Sequence, residues 1–123
     1  MPHTIFINNI SKTLASPAKV EFCESFLSRL RGLMFRSHLD RDEGLLLVEG
    51  RDSRLDSSIH MFFVPFDLAV FWINSSMTIV DKVIAKSWKP AYMSKQPARY
   101  ILEIHPERWH DYEIGDQVEF KNA

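Results

Sequence analysis

The chain has 123 residues, 46% of them hydrophobic and 25% charged, and 15 Lys+Arg against 16 Asp+Glu leave a formal net charge of −1. That length suits a single domain, 1–123, able to bury about two thirds of the surface its unfolded chain exposes, and the composition excludes disorder. Acids and bases are interspersed, without the basic surplus or stripe that grips a phosphate backbone, so nucleic acid is not an expected partner.

The lone cysteine, Cys23, cannot form an internal disulfide, which excludes a disulfide scaffold and predicts a buried thiol in a reducing cytosol. The opening MPHTIFINNISKT lacks the basic start and apolar core of an export signal. No run approaches the roughly 20 apolar residues of a membrane span, because Pro65 and Asp67 interrupt the longest candidate. The expected location is cytoplasmic, with no membrane partner.

In chain order, His3 to Asn8 is a short β-type run closed by the turn-favouring pair Asn8-Asn9. A second short strand is predicted over Lys12 to Ala15, before Ser16-Pro17 breaks the chain. Ala18 to Cys23 alternates, as a half-buried strand does. From Ser25, a suitable N-cap, the period changes: Phe26, Leu27, Leu30, Leu33 and Met34 recur at helical spacing. This is the one main helix, although its start could lie as early as Lys19. Gly32 within it costs about 1 kcal/mol against alanine, which points to close approach of another backbone.

Ser37 to Glu43 is a polar connection, and Gly44 leads into an apolar strand over Leu45 to Val48. Glu49 to Ser58 is almost wholly polar and is predicted to be a mobile loop. The stretch SIHMFFVPFDLAVFWIN, Ser58 to Asn74, is the most apolar of the chain. From Phe66 to Ile73 it reads as a strand covered on both faces, which must lie inside a sheet. Asn74-Ser75-Ser76 reverses into a strand over Thr78 to Lys86, and Trp88 to Pro97 is an extended loop with two prolines and two aromatic rings. Arg99 to Ile104 alternates until Pro106, and a last strand spans Gln117 to Lys121. These elements sum to an α+β domain: a mostly antiparallel sheet with one main helix packed on it.

Candidate chemistry is sparse. A zinc site needs three or four close N, S or O ligands; the nearest run, HPERWH (His105 to His110), has a proline after His105 that opposes a helical ligand pair, so no metal is expected. His60, at the mouth of the apolar strand, could serve as acid, base or ligand contact, or be bonded to a backbone carbonyl. Asp67 lies in an apolar run, where an unpaired carboxylate is costly, so a structural pair with Arg31, Arg36 or Arg99 is expected. Arg31 and Arg36 flank Gly-Leu-Met-Phe and could hold an anion or tie down a helix end. Trp88 and Tyr92 could line a groove. No GxSxG, phosphate loop or CxxC is present.

The run RLRGLMFRSHL, Arg29 to Leu39, resembles the signature of the domain of unknown function 192 family. The similarity continues through Glu43-Gly44-Leu45-Leu46-Leu47, IHMFFVPFDLAVFWIN, the Val83 strand, PARYILEI (Pro97 to Ile104) and the closing Ile114-Gly115-Asp116-x-Val118, covering about residues 18–121. The resemblance implies a small α+β domain with a curved, barrel-like antiparallel sheet and one helix across it. It implies no established reaction, cofactor or substrate. The family's recurring positions fall at Arg31, Gly32, Leu33, Met34, Arg36, Gly44, His60, Leu102, Glu103 and Gly115-Asp116. Two places depart from the family pattern: Ala69 stands where many members have aspartate, and His105-Pro106-Glu107-Arg108 replaces a glycine-containing turn.

These readings favour a binding or accessory module with a cleft near the Arg-Gly-Leu-Met-Phe-Arg segment. Arg31, Met34, Arg36 and His60 are its ligand-contact candidates, and a small molecule or a protein is the expected partner. The alternative is a small hydrolytic enzyme acting on an anionic substrate, with His60, Asp67 and Glu103 as candidate catalytic residues.

Overall fold

Among the residues described by the computed structural model of the chain, 3–24, 33–34 and 36–123, seven strands form one sheet. They are β1 (His3–Asn9), β2 (Ala18–Cys23), β3 (Gly44–Ser53), β4 (Leu68–Ile73), β5 (Ile79–Ala85), β6 (Ala98–Ile104) and β7 (Val118–Asn122). Their order is β5-β4-β6-β3-β2-β1-β7. Every neighbouring pair is antiparallel except β2 and β3, which run parallel.

The strand β4 carries the fold. All six of its residues are buried, and it lies between β5 and β6. Side chains alternate across a strand, so Ala69, Phe71 and Ile73 enter one apolar cluster while Leu68, Val70 and Trp72 enter another. The first cluster draws on all seven strands, including Ile79 of one edge and Val118 of the other. Opposite edges can share a cluster only if the sheet curls, so this is the concave side of a half-barrel. At one end the edges meet: Ile79 N donates to Asp116 O and Val118 N to Met77 O, each at 2.9 Å. The second cluster covers the outer face with side chains from connecting segments, among them Leu33, Leu39, Ile59, Met61 and Val64.

One buried and one partly buried polar group fasten the half-barrel. Tyr112 is fully buried, and its hydroxyl donates to Ile7 O at 2.6 Å and accepts from Ala18 N at 3.1 Å. Lys82 of β5 donates to Trp109 O at 3.0 Å, pairs with Glu113 and lies 3.9 Å from the Trp109 ring centroid. Together they tie the segment after β6 to β5 on one side and to β1 and β2 on the other.

Several expectations need correction. The α+β class with a main helix does not hold: nearly half of the described residues are strand, and the helical element among them is a six-residue 3-10 helix, Pro106–Asp111. Most of the segment read as the main helix, including Ser25, Phe26, Leu30 and Gly32, lies outside the described residues; Leu33 and Met34 form a turn. That segment belongs to the connection between β2 and β3, and parallel strands require a crossover of about a dozen or more residues.

Lys12 to Ala15 forms no strand: its backbone joins no ladder and bends at Lys12 and Ala15, while Lys12 Nζ bonds to His110 O and Leu14 packs on the first cluster. The predicted mobile loop at Glu49 to Ser58 is half strand: β3 runs on to Ser53, which pairs with Ala98 beyond a register shift. Gly50, Arg51 and Asp52 are exposed there, and a solvent-facing strand end needs no apolar pattern. The HPERWH stretch, in which no metal was expected, enters the 3-10 helix and is held to the fold. Arg108 is buried, bonded to Asp111 Oδ2 at 2.8 Å and to Ser16 O. No helix among the described residues is long and apolar enough to cross a membrane.

Candidate functional site

The segment leading into β4 and the segment leaving β5 each make a four-residue turn at the same end of the outer face. Val64 N donates to Met61 O at 3.2 Å, closing Met61-Phe62-Phe63-Val64. Lys89 N donates to Lys86 O at 3.3 Å, closing Lys86-Ser87-Trp88-Lys89. The fully buried Met61 locks the turns together, its N donating to Lys89 O and its O accepting from Trp88 N, both at 2.9 Å. A further bridge joins Ile59 to Tyr92.

Phe63 and Trp88 each occupy the third position of their turn, with φ of 61° and 65°. That position, with positive φ, takes glycine by preference, because a Cβ there crowds the backbone at a cost of about 1–2 kcal/mol. Met77 also has positive φ, at 63°, but the β4–β5 hairpin accounts for it: its N bonds to Asn74 O and its O receives Val118 N. The two aromatic residues sit instead in the paired turns that Met61 joins. Their rings pack edge to face at 5.1 Å, 53% of Trp88 and 44% of Phe63 remain exposed, and Phe62 beside them is 44% exposed. His60 lies 5.5 Å from Phe62, and its Nδ1 accepts from Phe62 N at 3.2 Å.

The surroundings are basic. Lys89 Nζ lies over the Tyr92 ring at 5.1 Å, while the Tyr92 hydroxyl accepts from Lys86 N at 2.8 Å. Among the described residues Asp67 pairs with no arginine; Arg31, one of the partners the sequence suggested, lies outside them. It accepts from Ser87 N at 2.9 Å and faces Lys86 Nζ at 3.3 Å. The Ser87 amide, aided by Lys86, holds its carboxyl below the usual range. Asp67 thus anchors the Trp88 turn.

The other sequence candidates lie apart from this patch or outside view. Arg31 is outside the described residues. Met34 packs against the outer cluster, and Arg36 pairs with Glu43 Oε2 at 2.6 Å. The Asp40 amide first, and Arg36 second, lower the Glu43 pKa. Among the described residues, His38, Asp40 and Glu43 gather their ligand atoms within 4.8 Å, but all lie at the surface and Glu43 is already engaged. Arg99 bonds to Glu49 O at 3.0 Å.

Glu103, in β6 opposite Leu45 and Val70, is 5% exposed, and no hydrogen bond or ion pair joins its carboxylate to another described residue. Burial pushes its carboxyl up to about 7. Burial, then Glu21 and Glu103, pushes the buried Cys23 thiol up to about 11. No hydrogen bond or ion pair among the described residues joins His60 to Asp67 or Glu103, so no acid–base pair is assembled there.

The sequence reading missed the two strained turns. A signal was present: Phe63-Val64-Pro65 and Trp88-Lys89-Pro90 share an aromatic-x-Pro pattern. The residue before proline is driven to extended backbone, which ends each turn just after its aromatic residue.

The fold defines a small, curled, mainly antiparallel domain whose outer face carries an exposed aromatic patch. The chain belongs to the DUF192 family, described as uncharacterised, whose model matches residues 6–120. A UPF0127 protein of Thermococcus kodakarensis is 39% identical over 97 residues, 79% of this chain and 60% of that protein, so the match spans less than two thirds of its relative. A UPF0127 protein of Pyrococcus abyssi is 29% identical over 93% of this chain and 96% of its own length. Among solved structures, a Sinorhizobium meliloti protein described as a candidate transcription regulator superposes with a TM-score of 0.82 at 22% identity, covering 98% of this chain and 94% of that one. At that identity the likeness concerns the fold alone.

Proposed function

We propose that the protein is a binding module that engages a partner through the Phe62, Phe63, Trp88 and His60 surface. The observation that supports this reading is the pair of aromatic residues at positive φ. Their backbones cost about 1–3 kcal/mol each, and the rings remain about half exposed. Local strain without matching burial fits a shape kept for recognition. A hydrolytic reading has less support, since His60 Nδ1 is occupied by the Phe62 amide and Asp67 is committed to Ser87 and Lys86. A cytoplasmic location belongs to the same proposal, in keeping with the buried free thiol of Cys23.

The test is a pair of substitutions, Trp88→Gly and Trp88→Ala, followed by thermal unfolding. Both delete the ring, and only glycine relieves the positive φ. Glycine should exceed alanine by about 1 kcal/mol, reversing the usual order. The glycine variant should unfold within about 5 °C of the wild type, because strain relief offsets the lost ring contact. Loss of more than about 3 kcal/mol in both variants would make the ring a structural anchor and overturn the reading.

A further inference from the structure

The aromatic patch also has a charge. Residues 86–95 contain Lys86, Lys89 and Lys95 and no acid, while residues 58–66 contain no Asp, Glu, Lys or Arg at all. The chain as a whole is at −1, so this corner is basic against its own background. The nearest acid in sequence, Asp67, is bound to the Ser87 amide and Lys86.

We infer that the patch docks a short acidic segment of a protein partner that carries one or two large apolar side chains, seated against Phe62, Phe63 and Trp88 with its carboxylates towards Lys86 and Lys89. This rests on the binding reading above and adds the chemistry of the partner. Peptide fits better than two other surfaces. A stack of nucleobases needs open ring faces, whereas Phe63 and Trp88 meet at an interplanar angle of 63°, edge to face. An anionic bilayer is recognised by clusters of about four to eight basic residues, and here two lysines flank the rings. Rings held by hydrogen-bonded turns present an exposed apolar surface against which apolar peptide side chains can pack. The contact is small, so the complex is weak, fast and salt-sensitive.

A random twelve-residue peptide library displayed on phage, panned on the full-length wild type and counter-selected on Trp88→Gly, tests this. Enriched peptides should combine Asp or Glu with Leu, Phe or Trp. The leading peptide, fluorescently labelled, should bind in anisotropy measurements at least tenfold more weakly to Trp88→Gly and to the double variant Lys86→Glu, Lys89→Glu. Its affinity should fall at least fivefold between 50 and 300 mM NaCl. Enrichment without acidic bias, no enrichment over Trp88→Gly, or indifference to charge reversal would overturn the inference. So would Trp88-dependent binding of phosphatidylserine vesicles or oligothymidylate in place of peptide. The glycine and alanine unfolding series separates the two levels. If it behaves as expected and the library fails, the surface binds something other than an acidic peptide. If ring deletion collapses the fold, the binding reading fails with it.

Discussion

The Tyr112 hydroxyl sits inside a strand ladder. The β1–β2 register sets Ile7 opposite Ala18, and the hydroxyl stands between them, donating to one carbonyl and accepting from the other amide. Tyr112→Phe keeps the ring, which packs edge to face on Phe71 at 5.4 Å, and removes only the oxygen. Two buried backbone groups then lose their partner, at about 1–3 kcal/mol each, and partial closure of the strands recovers some of that. We expect a net loss of about 3 kcal/mol, lowering the melting temperature by roughly 10–15 °C at neutral pH.

A second arm uses pH. Burial pushes the Tyr112 hydroxyl up to about 12, from an ordinary value of 10. The folded state therefore holds the proton more tightly, so this contribution is complete below pH 10 and is lost as pH rises towards 12. The gap between wild type and Tyr112→Phe should narrow by about 2–3 kcal/mol across that window. Circular dichroism melts at pH 7, 9 and 11.5 measure both arms. A drop below about 3 °C at pH 7, or a gap unchanged at pH 11.5, would refute the reasoning.

Gly44 faces the β6 backbone so closely that an added Cβ would lie 2.6 Å from Glu103 O and 2.7 Å from Ile104 Cγ2. Gly44→Ala should cost about 1–3 kcal/mol, read as a lower urea midpoint; an unchanged midpoint would mean that β3 and β6 separate freely. The Glu103 carboxyl, raised from 4.5 to about 7 by burial, contributes stability that is present below pH 4.5 and lost as pH rises to 7. Glu103→Gln should therefore gain on the wild type by roughly 3 kcal/mol between pH 4.5 and 8 in denaturant titrations. A difference that stays flat with pH would show that the carboxylate has a charge partner in the fold.

Periodicity found what local chemistry controls. Ala18–Cys23 forms the strand its alternation predicted, the apolar run ending at Ile73 became β4, and Asn74 to Ser76 reverses into β5. The errors arose where neighbours decide. β3 continues through Gly50, Arg51 and Asp52 because Ser53 pairs with Ala98 and Asp52 holds the Ser75 amide at 2.9 Å. Asp67 was given arginine partners because opposite charge is all a sequence displays. The fold instead brings a backbone amide, that of Ser87, within reach. His60 and Glu103, plausible partners on paper, lie in different surroundings.

The sequence by itself determined a mainly antiparallel sheet, the strand buried on both faces, the family, and the absence of recognisable catalytic motifs. Each of these depends on residue type and spacing within one segment. Only the tertiary structure decided that the two edge strands meet, that Tyr112 and Lys82 fasten the curl, and that Phe63 and Trp88 face each other from strained turns. Those facts join residues far apart in the chain. The two turns meet because Met61, buried beneath them, bonds to both segments, a pairing that no local pattern of side chains encodes.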